Sequence, residues 1–257
     1  MVIAVFLAGF MIVSAGMLGI PGHFSRPALA DPHIAYNNSV TLAVALPSSP
    51  PVVPAYRVSN VKKLSFSSAK TPEKKAHIPS ERDAPALAAR DLAPYGGLPP
   101  DAGLEVSQQV FWNTYNGTTG RVEEKFPQYT RVIFRKQVNG LPVMGTMIET
   151  RLGADGEILD LAKTWCTLDA TGEIPIITAE EALEKLNRQD LLEKYQCCIS
   201  DNTITRVELG YYVDLHLPDA SVQPVSPDTC TPVWIFYGVK PGLDEEPIPL
   251  IVNATRG

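Results

Sequence analysis

The stretch RVIFRKQVNGLPVMGTMIETRL, Arg131 to Leu152, decides the fold class. Arg131–Val138 is rich in β-branched and aromatic residues. Asn139-Gly140 then supplies the two residues that accept φ > 0 in a tight hairpin, and 141–152 returns as a second strand. Gly153-Ala154-Asp155-Gly156 is a further turn, and Glu157–Trp165 reads as a third strand. This is an antiparallel meander.

Working outward, Thr178-Ala179-Glu180-Glu181 has the form of a capping box, in which a threonine hydroxyl and a glutamate carboxylate satisfy each other's backbone amides. The spacing behind it predicts a helix over 178–195, with Ala179, Ala182, Leu183, Leu186 and Leu191 toward a core. In Ile204–Leu217 the odd positions from Val207 to Leu217 are apolar, while Arg206, Glu208, Tyr212, Asp214 and His216 take the even ones, the pattern of a sheet covered on one face. Pro232–Lys240 and Pro247–Ala254 make two more strands around Pro241-Gly242. Upstream, Glu105–Tyr115 reads as a helix, and Asn38–Leu46 as a short strand. The order β-meander, helix, β-meander predicts an α+β domain over 104–257. It follows an N-terminal hydrophobic helix and a disordered linker.

The first 20 residues carry no charge and are long enough to span a bilayer core. Ala28-Leu29-Ala30 follows, with the small residues a signal peptidase accepts. Residues 1–30 are therefore a signal peptide or a membrane anchor through 1–20, and the remainder is extracytoplasmic, secreted or membrane-anchored. Thirteen of the 23 prolines fall between Pro21 and Pro100, among Ser-rich and Lys-rich pieces, so 31–103 reads as an extended linker. Charge follows the same division: 8 basic and 5 acidic residues over 31–100, 13 and 23 over 101–257. A net charge of −6 argues against general nucleic-acid binding.

Little in the chain carries chemistry. No His-Glu-x-x-His, Gly-x-Ser-x-Gly or phosphate-cradling glycine loop occurs. His216 is the lone histidine beyond the linker. With Asp214 on the same strand face, and Glu208 further along, it forms the one candidate enzyme constellation, a hydrolase or metal centre. Two such ligands fall short of the three protein ligands that a catalytic zinc needs. No catalytic residue, metal or cofactor is assigned. Cys166, Cys197, Cys198 and Cys230 are disulfide candidates in an exported domain; a bond within the adjacent pair would strain its peptide, so Cys197 and Cys198 are each expected to reach Cys166 or Cys230. Asn37, Asn116 and Asn253 head Asn-x-Ser/Thr triplets and are candidate glycan acceptors. Trp112, Trp165, Trp234, Tyr211 and Tyr237 are expected in the core.

Val138-Asn139-Gly140-Leu141-Pro142-Val143, then Ala154-Asp155-Gly156-Glu157-Ile158, resembles the propeptide module of thermolysin-like and fungalysin proteases. Ile177-Thr178-Ala179-Glu180-Glu181-Ala182 resembles the helix start of PepSY domains, and Pro232-Val233-Trp234 with Val252-Asn253-Ala254-Thr255-Arg256-Gly257 resembles their later strands; Asn253 stands where an Asp is usual, and Arg256 splits the final Thr-Gly. A membrane segment ahead of such units is similar to the layout of YycH/YycI-type regulators. The resemblance implies a non-enzymatic, extracytoplasmic module whose partner is a protein, a sensor kinase ectodomain or a protease. A structural cell-surface protein is the remaining alternative.

Overall fold

The computed structural model describes residues 40–68, 76–192, 202–215, 229–240 and 246–256. The chain divides into two compact units. The larger comprises Asn38–Trp112 and Phe126–Gly257; the other comprises Met1–Asn37 and Asn113–Lys125. Of the second, 113–125 are described. There the Asn116 side-chain oxygen Oδ1 accepts from the Thr118 and Thr119 backbone amides at 2.9 Å each, and its Nδ2 donates to Glu123 Oε1 at 2.6 Å.

In chain order the strands are β1 (Thr41–Leu42), β2 (Val52–Ser67), β3 (Ala102–Tyr115), β4 (Val122–Val138), β5 (Leu141–Met144), β6 (Met147–Leu152), β7 (Ile158–Pro175), β8 (Thr203–Val213), β9 (Thr229–Val239) and β10 (Ile248–Asn253). Among the described residues two α-helices interrupt them, α1 (Ala84–Asp91) and α2 (Ala179–Asn187). The architecture is a mixed α+β fold dominated by strands.

The hairpin at Asn139-Gly140 forms with φ of 50° and 77°. Its returning strand is broken at Gly145, and the two pieces take different partners. β5 pairs in parallel with β8 through Val143↔Tyr211, whereas β6 pairs antiparallel with β7 from Met147↔Thr164 to Leu152↔Ile158. β7 then pairs with β2, β2 with β9, and β9 with β8. The pairings therefore close into a circuit instead of forming two separate meanders. Gly145 sits where the circuit forks: its φ is +82°, and a Cβ there would lie 1.9 Å from the Val213 carbonyl oxygen. Only glycine tolerates both the left-handed backbone and that approach.

Two sequence expectations are corrected here. Val52–Ser67, read as part of a linker, is a strand with partners on both edges. Its one proline, Pro54, stands near its start, and from Ala55 on the run is proline-free, with Tyr56, Val58 and Phe66 in or against core clusters. A bulge between Ser59 and Lys62, with Asn60 at φ 49°, lets the strand bend. Ala102–Tyr115, read as a helix from Glu105, pairs with β4. Its mixed polar pattern does not separate the two periods, and the available edge of β4 decides.

One face of the sheet is filled by three apolar clusters. Between β2, β5, β7, β8 and β9 lie Val58, Val143, Cys166, Tyr211, Val213 and Cys230, with Tyr56 edge-on to Tyr211 at 5.2 Å. α1 adds Ala84 and Ala88 to a cluster of Val132, Phe134, Ile148, Leu152, Leu161 and Trp165. α2 lays Ala179, Ala182 and Leu186 against Trp234, Phe236, Leu250 and Val252. α2 begins in the predicted capping box: Glu181 N donates to Thr178 Oγ1 at 3.2 Å, and Thr178 N donates to Glu181 Oε2 at 2.7 Å. The helix stops at Asn187, short of the predicted end; Gln189 adopts φ 60° and turns the chain.

Gly145→Ala is expected to destabilise by about 3 kcal/mol or more in denaturant unfolding, because the backbone penalty of about 1–2 kcal/mol is joined by a steric clash. Gly97→Ala, also at positive φ but with open space around it, should lose only the backbone term. Leu186 is fully buried, and Leu186→Ala should lose about 2–5 kcal/mol.

Candidate functional site

On the opposite face of β5, β8, β9 and β10 lies a fourth buried apolar cluster, Met144, Tyr212, Val233, Ile235, Tyr237 and Ile251. Strand alternation sends Val132 and Phe134 into the core and leaves Arg131, Ile133, Arg135 and Gln137 facing the other way. On β8 the same alternation presents Arg206 and Glu208, and on β9 it presents Tyr237. Together with Gly103–Val106 at the start of β3, and with Glu246, Pro247 and Pro249 beside β10, these residues line a cleft of about 710 Å³. That is the size of a cleft able to hold a small ligand or a short chain segment. Its floor is apolar: Ile133 and Met144 are buried there.

Three arginines and three glutamates line the cleft, and most of this charge is spent internally. Arg131 donates to Glu149 at 3.0 Å and to Glu246 at 3.1 Å. Burial works against its charge, but Glu149 and then Glu246 outweigh that and raise its pKa above the ordinary value. Arg135 donates to Glu105 at 2.8 Å and to the Thr146 carbonyl at 3.0 Å. The Tyr237 hydroxyl donates to Glu208 at 2.6 Å. Burial, reinforced by that carboxylate, raises the Tyr237 pKa above its ordinary value, so the phenol stays protonated as a donor. Arg206 lies on the Tyr237 ring with its guanidinium carbon 3.7 Å from the centroid, and its nearest carboxylate is Glu208 at 3.6 Å.

The candidates named from the sequence do not converge on this cleft. Glu208 lines it, but Asp214 lies six residues further along, just past the end of β8; at about 3.3 Å per residue, that places them roughly 20 Å apart, too far to share one ligand. His216 lies outside the described residues. Among the described residues, no three His, Cys, Asp or Glu side chains come together in a way that would hold a metal ion. Cys166 and Cys230 are free thiols buried in one core cluster, and no disulfide occurs among the described residues. Burial pushes Cys230 up to about 12, with Cys166 adding to the effect, and it raises Cys166 as well. Neither is a ready nucleophile. Cys197 and Cys198 lie outside the described residues, as does Asn37. Asn116 holds the turn described above, and the Asn253 side-chain oxygen Oδ1 accepts from the backbone N–H and hydroxyl of Thr255 at 2.8 Å each. The expected aromatic core holds for Trp165, Trp234, Tyr211 and Tyr237, which are buried, while Trp112 is half-buried.

Nothing in the sequence marks Arg131, Arg135, Glu105 or Glu246 as site residues, and Tyr237, buried as expected, also lines the cleft. The alternation along β4 is legible, but five other strands, β3, β5, β8, β9 and β10, are needed to turn that face into a cleft. No family model matches the chain and no curated protein matches it. Among solved structures, an uncharacterized protein from Eubacterium rectale ATCC 33656 is similar at a TM-score of 0.39 and 12% identity, over 79% of this chain and 72% of that one. No helix among the described residues is long and apolar enough to cross a membrane.

Away from the cleft, Lys163 is 7% exposed, and its ammonium donates to the carbonyls of Tyr95 and Gly97, at 3.2 and 3.0 Å. Burial, and then the nearby Lys62, lower its pKa from the usual 10.5. Between the lowered folded value and 10.5 the unfolded chain binds the proton that the folded chain has released, so stability rises with pH across that window. Unfolding at a series of alkaline pH values should therefore show the native protein gaining on Lys163→Met as pH increases; a constant difference would contradict the lowered pKa.

Proposed function

We propose that this chain is an extracytoplasmic, non-enzymatic protein-binding module, secreted or held at the membrane by its first 20 residues, that modulates a partner such as a sensor kinase ectodomain or a protease. The cleft carries this reading. It is a shaped surface with an apolar floor whose carboxylates are tied to arginines or to a phenol, an arrangement suited to recognition. Glu208, Glu105 and Glu246 each accept a hydrogen bond from a tyrosine or arginine of the cleft, which supports a structural and recognition role for them. The uncharged Met1–Ile20 run with Ala28-Leu29-Ala30 supports export. The PepSY-like motifs at 138–158 and 177–182 support a role on another protein. The alternative enzyme centre would have to work from Asp214 and His216 without Glu208.

Cross-linking and capture with the full-length chain in its own host tests the proposal. One protein should be enriched in near-stoichiometric amount, and its kinase or protease activity should change as the purified chain is titrated to saturation. Capture without any change in the partner's activity would refute the regulatory role, and substrate turnover by the purified chain that is lost in Asp214→Asn would refute the non-enzymatic one.

A further inference from the structure

We propose that the cleft seats an extended peptide segment of the partner by gripping one of its acidic side chains with Arg206; this rests on the protein-binding reading above. The ionised groups lining the cleft differ in how far they are satisfied. Arg131 and Arg135 donate to carboxylates at 3.0 and 2.8 Å, and Glu105 and Glu246 are the acceptors of such bonds. Glu208 accepts from the Tyr237 hydroxyl. Arg206 alone departs from this pattern: its guanidinium makes no hydrogen bond among the described residues, and its ion pair with Glu208 is at 3.6 Å, beyond hydrogen-bond distance. The unmet polar capacity of the cleft is therefore a cation with an open fork of donors, whose complement is a carboxylate.

Arg206 is also held ready. Its guanidinium is stacked at 3.7 Å on the ring of Tyr237, a residue only 6% exposed whose hydroxyl is anchored on Glu208. Stacking on a fixed ring restricts the fork to one plane and leaves its edge open. A bound carboxylate thus meets a donor set whose side-chain entropy is already largely spent. Beside it the floor of Ile133 and Met144 offers apolar contact to the residues flanking the acid. Strand addition at β10 is disfavoured, since Pro249 has no N–H to offer. Side-chain recognition is left to set specificity.

The test measures binding of three capped pentapeptides to the full-length chain by calorimetry: acetyl-Val-Leu-Glu-Leu-Val-amide, and the same peptide with Gln or Lys at the centre. The Glu peptide should bind at least ten-fold more tightly than either, with the preference shrinking as salt rises, because Arg206 is half-exposed. Arg206→Gln should abolish the preference, Arg206→Lys should keep part of it, and Arg188→Gln, at the exposed residue that follows α2, should leave it intact. Equal binding of the three peptides, no binding of the Glu peptide at millimolar concentration, or a preference that survives Arg206→Gln would each overturn the inference. The two readings fail separately. A captured partner that binds Arg206→Gln as well as the native chain sinks the anchor and leaves the module standing. A Glu preference without any captured partner does the reverse.

Discussion

One strand with too few edges governs this structure. The returning arm of the central hairpin, β5 and β6, has β4 along one edge and a single remaining edge to share. It divides that edge between β8 and β7, and the division happens at Gly145, where the backbone turns to φ +82° and the Val213 carbonyl comes too close for any Cβ. Because β7 and β8 are linked again through β2 and β9, the fork makes a circuit. A sheet bent into a circuit has an inner face that side chains can fill, and this explains why Cys166, Tyr211, Val213 and Cys230, distant in sequence, share one cluster.

The same bending explains how two short helices suffice. α1 and α2 are 8 and 9 residues long, too short to be stable alone. Each contributes a few small or branched residues where the curved sheet leaves an apolar cluster to be closed. Alanines at 84, 88, 179 and 182 let the helix backbones approach closely, and Leu186 supplies the one bulky anchor of α2. On the other face of β5, β8, β9 and β10 a fourth apolar cluster, Met144, Tyr212, Val233, Ile235, Tyr237 and Ile251, is buried as well. Beside it, the cleft pairs Arg131 with Glu149 and Arg135 with Glu105, so that charge close to apolar surface is met by opposite charge.

The burial of the two described cysteines has a chemical consequence. A thiol held in an apolar cluster keeps its proton, and a thiolate is the form that attacks disulfides and binds metals. Cys166 and Cys230 are thus packed as small apolar residues, much like the valines beside them.

The sequence alone determined the local features: the hairpin at Asn139-Gly140, the capping box at Thr178 and Glu181, the alternation along β8, and the strands around Trp234 and Leu250. Each is decided within a few residues, by a turn that needs φ > 0, a side chain that reaches its neighbour's amide, or a period of two. Tertiary structure alone decided that Val52–Ser67 is a strand, since its lysines and serines carry no strong period and its order comes from β7 and β9 on either side. It likewise decided that Glu105–Tyr115 is extended, because β4 offered an edge. The candidate site belongs to this second class. Arg206 and Glu208 were visible as the polar face of one strand, but the ring beneath Arg206, the carboxylates that occupy Arg131 and Arg135, and the apolar floor come from other strands. Pairing across the circuit is a long-range choice, set by which edges remain free once the local pieces have formed.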